Sequence, residues 1–335
     1  MSCCFPSYGT SGRCSERLIA WYIVHWSYAR AYVESLRTRG RAERALTSGP
    51  LCPIMTRMKM LPTPSLMRRA FLALPAALLL ASCATPTAPI SLDTAIAAPY
   101  RGEKARARDV YRHPKETLEF FGLAPNQSVL EIAPGGGWYT DILGPYLRAR
   151  GTLYEAQYLP PQGALPAGEA KSNAVFERKL AAAPDVFGTV VVGSLQSGQF
   201  SGFPAGLQVD RVLTFRNIHN WIEDGQVDAN LRAFYSVLKP GGVLGVEEHR
   251  ARPGTSVQQM IDTGYMTEAY VIEHAQAAGF RLAARSEINS NPRDTKDYPN
   301  GVWSLPPTFR GGDADRARFA AIGESDRMTL RFIKP

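Results

Sequence analysis

From Arg101 to Pro335, apolar runs of strand length alternate with segments of helical length, the pattern of a mostly parallel sheet covered on both faces. Glu103 to Phe121 reads as an N-terminal helical region, interrupted near His113-Pro114 because the residue before a proline avoids the α region. Ser128-Val129-Leu130-Glu131-Ile132 predicts a buried first strand, and Trp138 to Arg150 the helix that follows it. Gly151 to Gln157, Gly188 to Gly193, Val209 to Phe215 and Val243 to Glu248 predict four more strands. Val227 to Leu238 reads as a helix stopped by Lys239-Pro240-Gly241-Gly242, and Thr267 to Ala278 as another, capped by Gly279. Phe280 to Ile288 and Met328 to Ile333 form a final strand pair. Between the second and third strands only Ala174 to Ala182 carries clean helical periodicity. The expectation is an α/β domain with seven strands.

The first hundred residues follow a different pattern. Met67-Arg68-Arg69, the apolar run Ala70 to Ala81 and then Ser82-Cys83 have the order of an export signal: a basic start, a run too short to span a bilayer as a mature helix, and small residues before a cysteine. Leu80-Ala81-Ser82-Cys83 resembles the bacterial lipobox, which implies acylation of Cys83 and a lipid-anchored, periplasm-facing protein of the cell envelope. Residues 1–66, Arg-rich and without sustained period, then stand in front of a signal that belongs at an N-terminus. The expectation is that translation starts at Met67, the alternative being a disordered extension. Residues 84–100, rich in Ala, Pro and Thr, read as a tether.

Charge changes the picture only by its location. The net +8 lies wholly in the first 83 residues, which hold 11 Lys+Arg against 3 Asp+Glu, whereas residues 84–335 hold 27 of each. The domain is neutral, and nucleic-acid binding is set aside. All five cysteines lie at or before Cys83, which excludes a disulfide scaffold, a thiolate metal site and a cysteine nucleophile from the domain. Five histidines without metal spacing argue against a metal site.

The chemistry concentrates at Val129-Leu130-Glu131-Ile132-Ala133-Pro134-Gly135-Gly136-Gly137, a glycine-rich turn that follows a strand and opens a helix. Such a turn lets backbone approach a ligand that side chains would block. With Lys239-Pro240-Gly241-Gly242-Val243-Leu244 before the fifth strand, it resembles the class I S-adenosylmethionine-dependent methyltransferases. The resemblance implies a Rossmann-like, seven-stranded, mostly parallel sheet with helices on both faces and an antiparallel last strand. It implies S-adenosylmethionine as cofactor, with Glu131 taking its amino group and Gly135 and Gly137 matching the second and third glycines of the family turn. Ala133 replaces the first glycine. The family's ribose-gripping acid falls by register at Gln157, with Glu155 two residues earlier on the same face, and the position of its adenine-side acid offers only Ser194. These departures leave a second reading open: a ligand-binding or structural protein that keeps the fold without the chemistry. A group of bacterial predicted methyltransferases of unknown substrate is similar from about Ala97 to Pro335, sharing Ala-Pro-Gly-Gly-Gly-Trp-Tyr, His-Asn-Trp and Gly-Glu-Ser-Asp-Arg-Met.

Ligands of such sheets sit beyond the carboxyl ends of the parallel strands. After the fourth strand comes Arg216-Asn217-Ile218-His219-Asn220-Trp221, where the family faces the transferred methyl group. His219 is the candidate proton acceptor, with Asn217 and Asn220 beside it, and Trp221 a surface on which a flat or cationic acceptor stacks. The alternative is that these residues only bond the loop and fill the pocket wall. Glu247-Glu248-His249-Arg250 ends the fifth strand at the same rim, its charges reading either as part of the substrate side or as a solvated edge. The 38 residues 289–326 between the last two strands exceed an ordinary hairpin loop. They are expected to fold over the same rim as a substrate lid, returning Asp326 and Arg327 to the site. The methyl acceptor, small molecule or other, is not legible.

Overall fold

The computed structural model describes residues 88–335 apart from 162–164, 166 and 189. Cys83, the export signal and residues 1–66 lie outside the described residues.

In chain order the helices are α1 (Leu92–Ala97), α2 (Gly102–Arg106), α3 (Asp109–Arg112), α4 (Pro114–Phe120), α5 (Thr140–Leu147), α6 (Ala167–Ala182), α7 (Pro184–Phe187), α8 (Ile218–Glu223), α9 (Val227–Val237), α10 (Val257–Thr263), α11 (Glu268–Ala277) and α12 (Arg316–Ile322). The strands are β1 (Ser128–Ile132), β2 (Thr152–Leu159), β3 (Val190–Gln196), β4 (Gln199–Ser201), β5 (Val209–Phe215), β6 (Leu238–His249), β7 (Arg281–Ser286) and β8 (Arg327–Ile333). They form one sheet in the order β4-β3-β2-β1-β5-β6-β8-β7. β8 runs antiparallel to both its neighbours, and β4 antiparallel to β3. The sheet is the Rossmann-like one of the expectation, with one addition: β4, too short to carry a period in the sequence, pairs back on β3 as an edge hairpin.

Alternate residues of the central strands feed two cores, as the pleat demands. Leu130, Ile132, Val212 and Leu244 face a core built with α9 and α11, whereas Val129, Leu153 and Leu213 face one built with α1, α4 and α5. Two boundaries differ from the sequence reading. The Lys239-Pro240-Gly241-Gly242 stop lies inside β6, because Leu238 already pairs with Val209 and a register shift absorbs the turn before Val243 meets Arg211. The N-terminal helical region is three short helices, α3 ending where His113 takes a left-handed conformation (φ 39°) ahead of Pro114.

The expected tether, 84–100, is corrected over its second half. Ser91 caps α1 through its side chain, which accepts from the Thr94 amide, and Ala95 is fully buried against the core that also holds Leu118 and Ile142. Small residues that read as linker composition are here the close-packing face of a helix. Among the described residues no helix is long and apolar enough to cross a membrane.

Ala95→Glu therefore places an unpaired charge in a filled core and is expected to cost about 3 kcal/mol or more of stability. Denaturant unfolding checks this, and an unchanged midpoint would return Ala95 to the tether.

Candidate functional site

The sheet's topological switch point lies between β1 and β5, whose chains leave in opposite directions and open a crevice at their carboxyl ends. Both strands end in a residue forced into the left-handed region. Ala133 (φ 50°) still bonds the sheet, its amide donating to the Ala156 carbonyl, and Arg216 (φ 61°) does the same to the Glu247 carbonyl. A non-glycine there costs about 1–2 kcal/mol, which gives physical content to Ala133 standing where the resembling family has glycine. Gly137 (φ 76°) is needed for a second reason: a Cβ would stand 2.8 Å from the Phe176 ring, so α6 rests directly on the turn. Lys179 of α6 fastens it, donating to the Gly136 carbonyl (2.7 Å) and to Asp141 (2.8 Å). At Gly135 (φ 57°), by contrast, the space for a Cβ is open.

That open side faces two cavities that share Ala133, Gly135 and Asn217. One, of about 180 Å³, also takes Tyr158, Ser172, Asn173, Asn220 and Trp221. The other, of about 560 Å³, is bounded by Trp138, Phe215 and a set of basic side chains including Arg101, Arg108, Arg112 and Arg216. Asn217 is the hinge post between them: its Nδ2 donates to the Ile132 carbonyl (2.9 Å) and to Thr214 Oγ1 (3.2 Å), tying the loop after β5 to β1. Of the sequence candidates, Ala133, Gly135, Asn217, Asn220 and Trp221 come together here. Trp221 is fully buried among Phe234 and Tyr158, so it is chiefly a wall of the pocket.

The other cofactor candidates are placed elsewhere. Glu131 lies beneath the turn, where Thr140 Oγ1 donates to it (2.9 Å), and lines neither cavity. Glu155, its partner in the β1–β2 register, is fully enclosed, and neither of its oxygens has a hydrogen-bond partner among the described residues. It cannot reach a ribose. Burial, and for Glu155 the neighbouring Glu131, push both carboxyls above their usual range. Gln157 donates to Glu177 (3.2 Å), and Ser194 bonds Ser201 across the β3–β4 hairpin (2.7 Å). The strand register was readable, but which face a helix would cover was not.

The solvated-edge reading of Glu247-Glu248 is overturned: both are 0% exposed. Glu248 is saturated by donors, accepting from the Ile218 amide (2.6 Å), the His249 amide (2.8 Å) and His219 Nδ1 (3.0 Å). It thereby orients His219, whose ring lines a third cavity of about 290 Å³ with His249, Trp303, Arg327 and again Arg108, Arg112 and Arg216. Glu247 accepts from Tyr139 (2.9 Å) and Arg216 (2.6 Å) and pairs with Arg327. Although burial opposes it, Arg216, Arg327 and Arg112 hold its carboxyl below the usual range. Across the cleft Glu324 receives Arg108, Arg112 and Arg327, tying α3 and its approach to the start of β8.

His219, Glu248 and His249 also bring one ligand atom each within 4.8 Å of one another, a spacing the sequence did not betray. Chemically the set suits a divalent ion. Two features oppose that use: Glu248 already accepts three hydrogen bonds, and Arg112, Arg216 and Arg327 make the surroundings positive.

Arg327, 1% exposed, is in the cleft as expected, but Asp326 is not. Asp326 accepts from Arg250 (2.9 Å), the Asn291 amide (2.8 Å) and Lys296, and so latches the long insert to β6. It borders a separate cavity of about 480 Å³ that shares no residue with the cleft. The insert leaves β7 and returns at Arg327, opposite His249 at the carboxyl end of β6, on the rim where Gly135 lies. Its Trp303, Pro306, Pro307 and Thr308 wall the His219 cavity. The arginines of the N-terminal helices were missed because their spacing looks like any solvated helix face.

No protein-family model matches the chain, and no curated protein matches it. Among solved structures it is similar to an S-adenosylmethionine-dependent methyltransferase from Aquifex aeolicus (14% identity, 73% of this chain and 100% of that one, TM-score 0.45). It is also similar to the [4+2]-cyclase SpnF (18%, 67% and 81%, 0.45) and to Aeropyrum pernix fibrillarin with bound S-adenosyl-L-methionine (10%, 67% and 76%, 0.38). The sheet order, with β8 antiparallel between β6 and β7, is that of a Rossmann-like α/β domain.

The buried Glu131–Glu155 pair sets a pH dependence. Below about pH 4.5 folded and unfolded chains both hold these protons; above it the unfolded chain releases protons that the folded one keeps, to about pH 7 for Glu131, and Glu155, also raised, acts in the same direction, so stability falls as pH rises. Glu155→Gln removes one such group. Its melting temperature is expected to exceed the parent's at pH 8, by the equivalent of about 1–3 kcal/mol, and to show little gain at pH 4.5. Equal shifts at both pH values would dismiss the pair as the cause.

Proposed function

We propose that this protein is an S-adenosylmethionine-dependent methyltransferase, exported and anchored to the cell envelope through an acylated Cys83. The observation that carries the enzymatic part is the turn at Ala133–Gly137. It is held down by α6 at Gly137, open at Gly135 and Gly136, and flanked by two cavities at the switch point of the sheet. The residues that would hold the cofactor are Gly135 and Ala133 by their backbone, with Asn217, Asn220, Tyr158 and Asn173 around them. Bound there, S-adenosylmethionine supplies an electrophilic methyl group.

This chain's own part is alignment and proton removal. His219 donates from Nδ1 to Glu248, which leaves Nε2 as the basic nitrogen of a ring that lines the Trp303 cavity. In that tautomer it takes the proton of an acceptor hydroxyl or amine as the methyl group is transferred. The Trp303 wall restricts water around the reacting atoms. The reaction is proposed from the His219–Glu248 arrangement. One observation favours the non-catalytic reading: among the described residues none that lines the 180 Å³ cavity is an acid, Glu155 being enclosed and Gln157 turned to Glu177.

Calorimetric titration of S-adenosylmethionine into the chain from Ala84 onward is expected to give micromolar binding that Gly135→Val abolishes by filling the open space. No binding up to millimolar concentration would instead support a ligand-binding or structural protein of the envelope. Metabolic labelling tests the anchor. Labelled palmitate is expected in the parent protein and absent from Cys83→Ala, and an unlabelled parent overturns it.

A further inference from the structure

The cleft beside the glycine turn carries more positive charge than its own acids neutralise. Arg108, Arg112, Arg216 and Arg327 converge on it, and the carboxylates that answer them are Glu247 and Glu324. Four cations against two anions leaves an excess of two, in a domain whose net charge is zero. Three of these arginines, Arg108, Arg112 and Arg216, line both the 560 Å³ and the 290 Å³ cavities, so the excess sits on the surface that joins them.

The guanidinium groups are not used up. Arg112 spends only Nε on Glu324 and lies 4.5 Å over the Trp138 ring, and its two Nη groups make no hydrogen bond among the described residues. Arg327 is almost wholly buried, and its Nε has no partner. Burial and the neighbouring Arg216 depress the Arg112 pKa to about 9, the mark of a cation held among cations. Each of the four pairs with Glu247 or Glu324, but two carboxylates shared among four guanidinium groups leave them under-neutralised, and an anion entering the cavity completes the pairing. Guanidinium forks match the two oxygens of a carboxylate or phosphoryl group, and Trp138 lines the larger of the two cavities and Trp303 the smaller.

We propose that the Arg108–Arg112–Arg216–Arg327 cleft is an oxyanion subsite that binds a carboxylate or phosphoryl group of the methyl acceptor. The acceptor is then an anionic molecule, with its nucleophile directed at His219 and its charged end at Arg112. Calling the anion part of an acceptor rests on the methyl-transfer reading; the existence of the subsite does not. The competing source of an oxyanion is the carboxylate of the cofactor itself.

The test is calorimetric titration of inorganic phosphate into the full chain at constant ionic strength, with and without saturating S-adenosylhomocysteine. Saturable millimolar binding in both arms, weakened at least about tenfold by Arg112→Gln, is the expected result. Arg108→Gln, at a position 26% exposed where Glu324 keeps Arg112 and Arg327, repeats the measurement should Arg112→Gln not fold. Phosphate displaced by S-adenosylhomocysteine would overturn the proposal by assigning the cluster to the cofactor. So would no saturable phosphate binding, or binding that neither substitution weakens. If S-adenosylhomocysteine itself fails to bind, the methyl-transfer reading fails, and the phosphate arm alone still decides the subsite.

Discussion

The carboxylate of Glu324 joins the two ends of the domain. It receives Arg108 and Arg112 from the N-terminal helices and Arg327 from the start of the last strand. Burial pushes its carboxyl up, and Arg327, Arg112 and Arg108 more than reverse that. A buried carboxylate survives only when paired and hydrogen-bonded this fully. The consequence is architectural: α3 and β8, more than 200 residues apart in the chain, become facing walls of one cleft. Glu247 does the same between Arg216 and Arg327 one step deeper. The basic cleft, the His219 cavity and the wall supplied by the long insert all depend on that clamp.

The crevice itself is older in the logic of the fold. Parallel strands diverging at β1 and β5 leave their carboxyl ends uncovered, and Ala133 and Arg216 turn away from the sheet there in strained conformations. α6 then presses on one side of the turn through Phe176 and Lys179 and leaves the other side open at Gly135. Rigidity on one side and space on the other is what a backbone cradle requires. The same compression buries Glu131 and Glu155 side by side, so the price of the cradle is a carboxyl pair that must keep protons.

Much of this was legible before any coordinates. Apolar runs of strand length located β1, β2, β5 and the β7–β8 pair to within a residue or two, and the strand–turn–helix context of Ala133–Gly137 put the turn at the carboxyl end of β1. His219, Asn217, Asn220 and Arg327 line cavities at one rim because they adjoin strand ends, which topology sends there. The tether failed because alanine-rich composition describes a linker and a close-packed helix equally well, and only the contact of Ala95 with its core separates them. Glu247 and Glu248 failed because a run of charged residues is ordinarily solvated; their burial needs arginines and amides from α8 and β8 that no local pattern announces.

The sequence by itself determined the sheet, the crevice and the turn, because periodicity and glycine placement act over a few residues and leave a local trace. It also determined that the domain is neutral and free of thiols, since composition needs no fold. Only the tertiary structure decided the charge of the site. Balanced charges along a chain say nothing about which of them are gathered, and Coulomb interaction depends on distance in space. The clamp on Glu324, the orientation of His219 by Glu248 and the excess of arginine in the cleft all join residues from separate elements. They exist only once the strands have brought those residues to one rim.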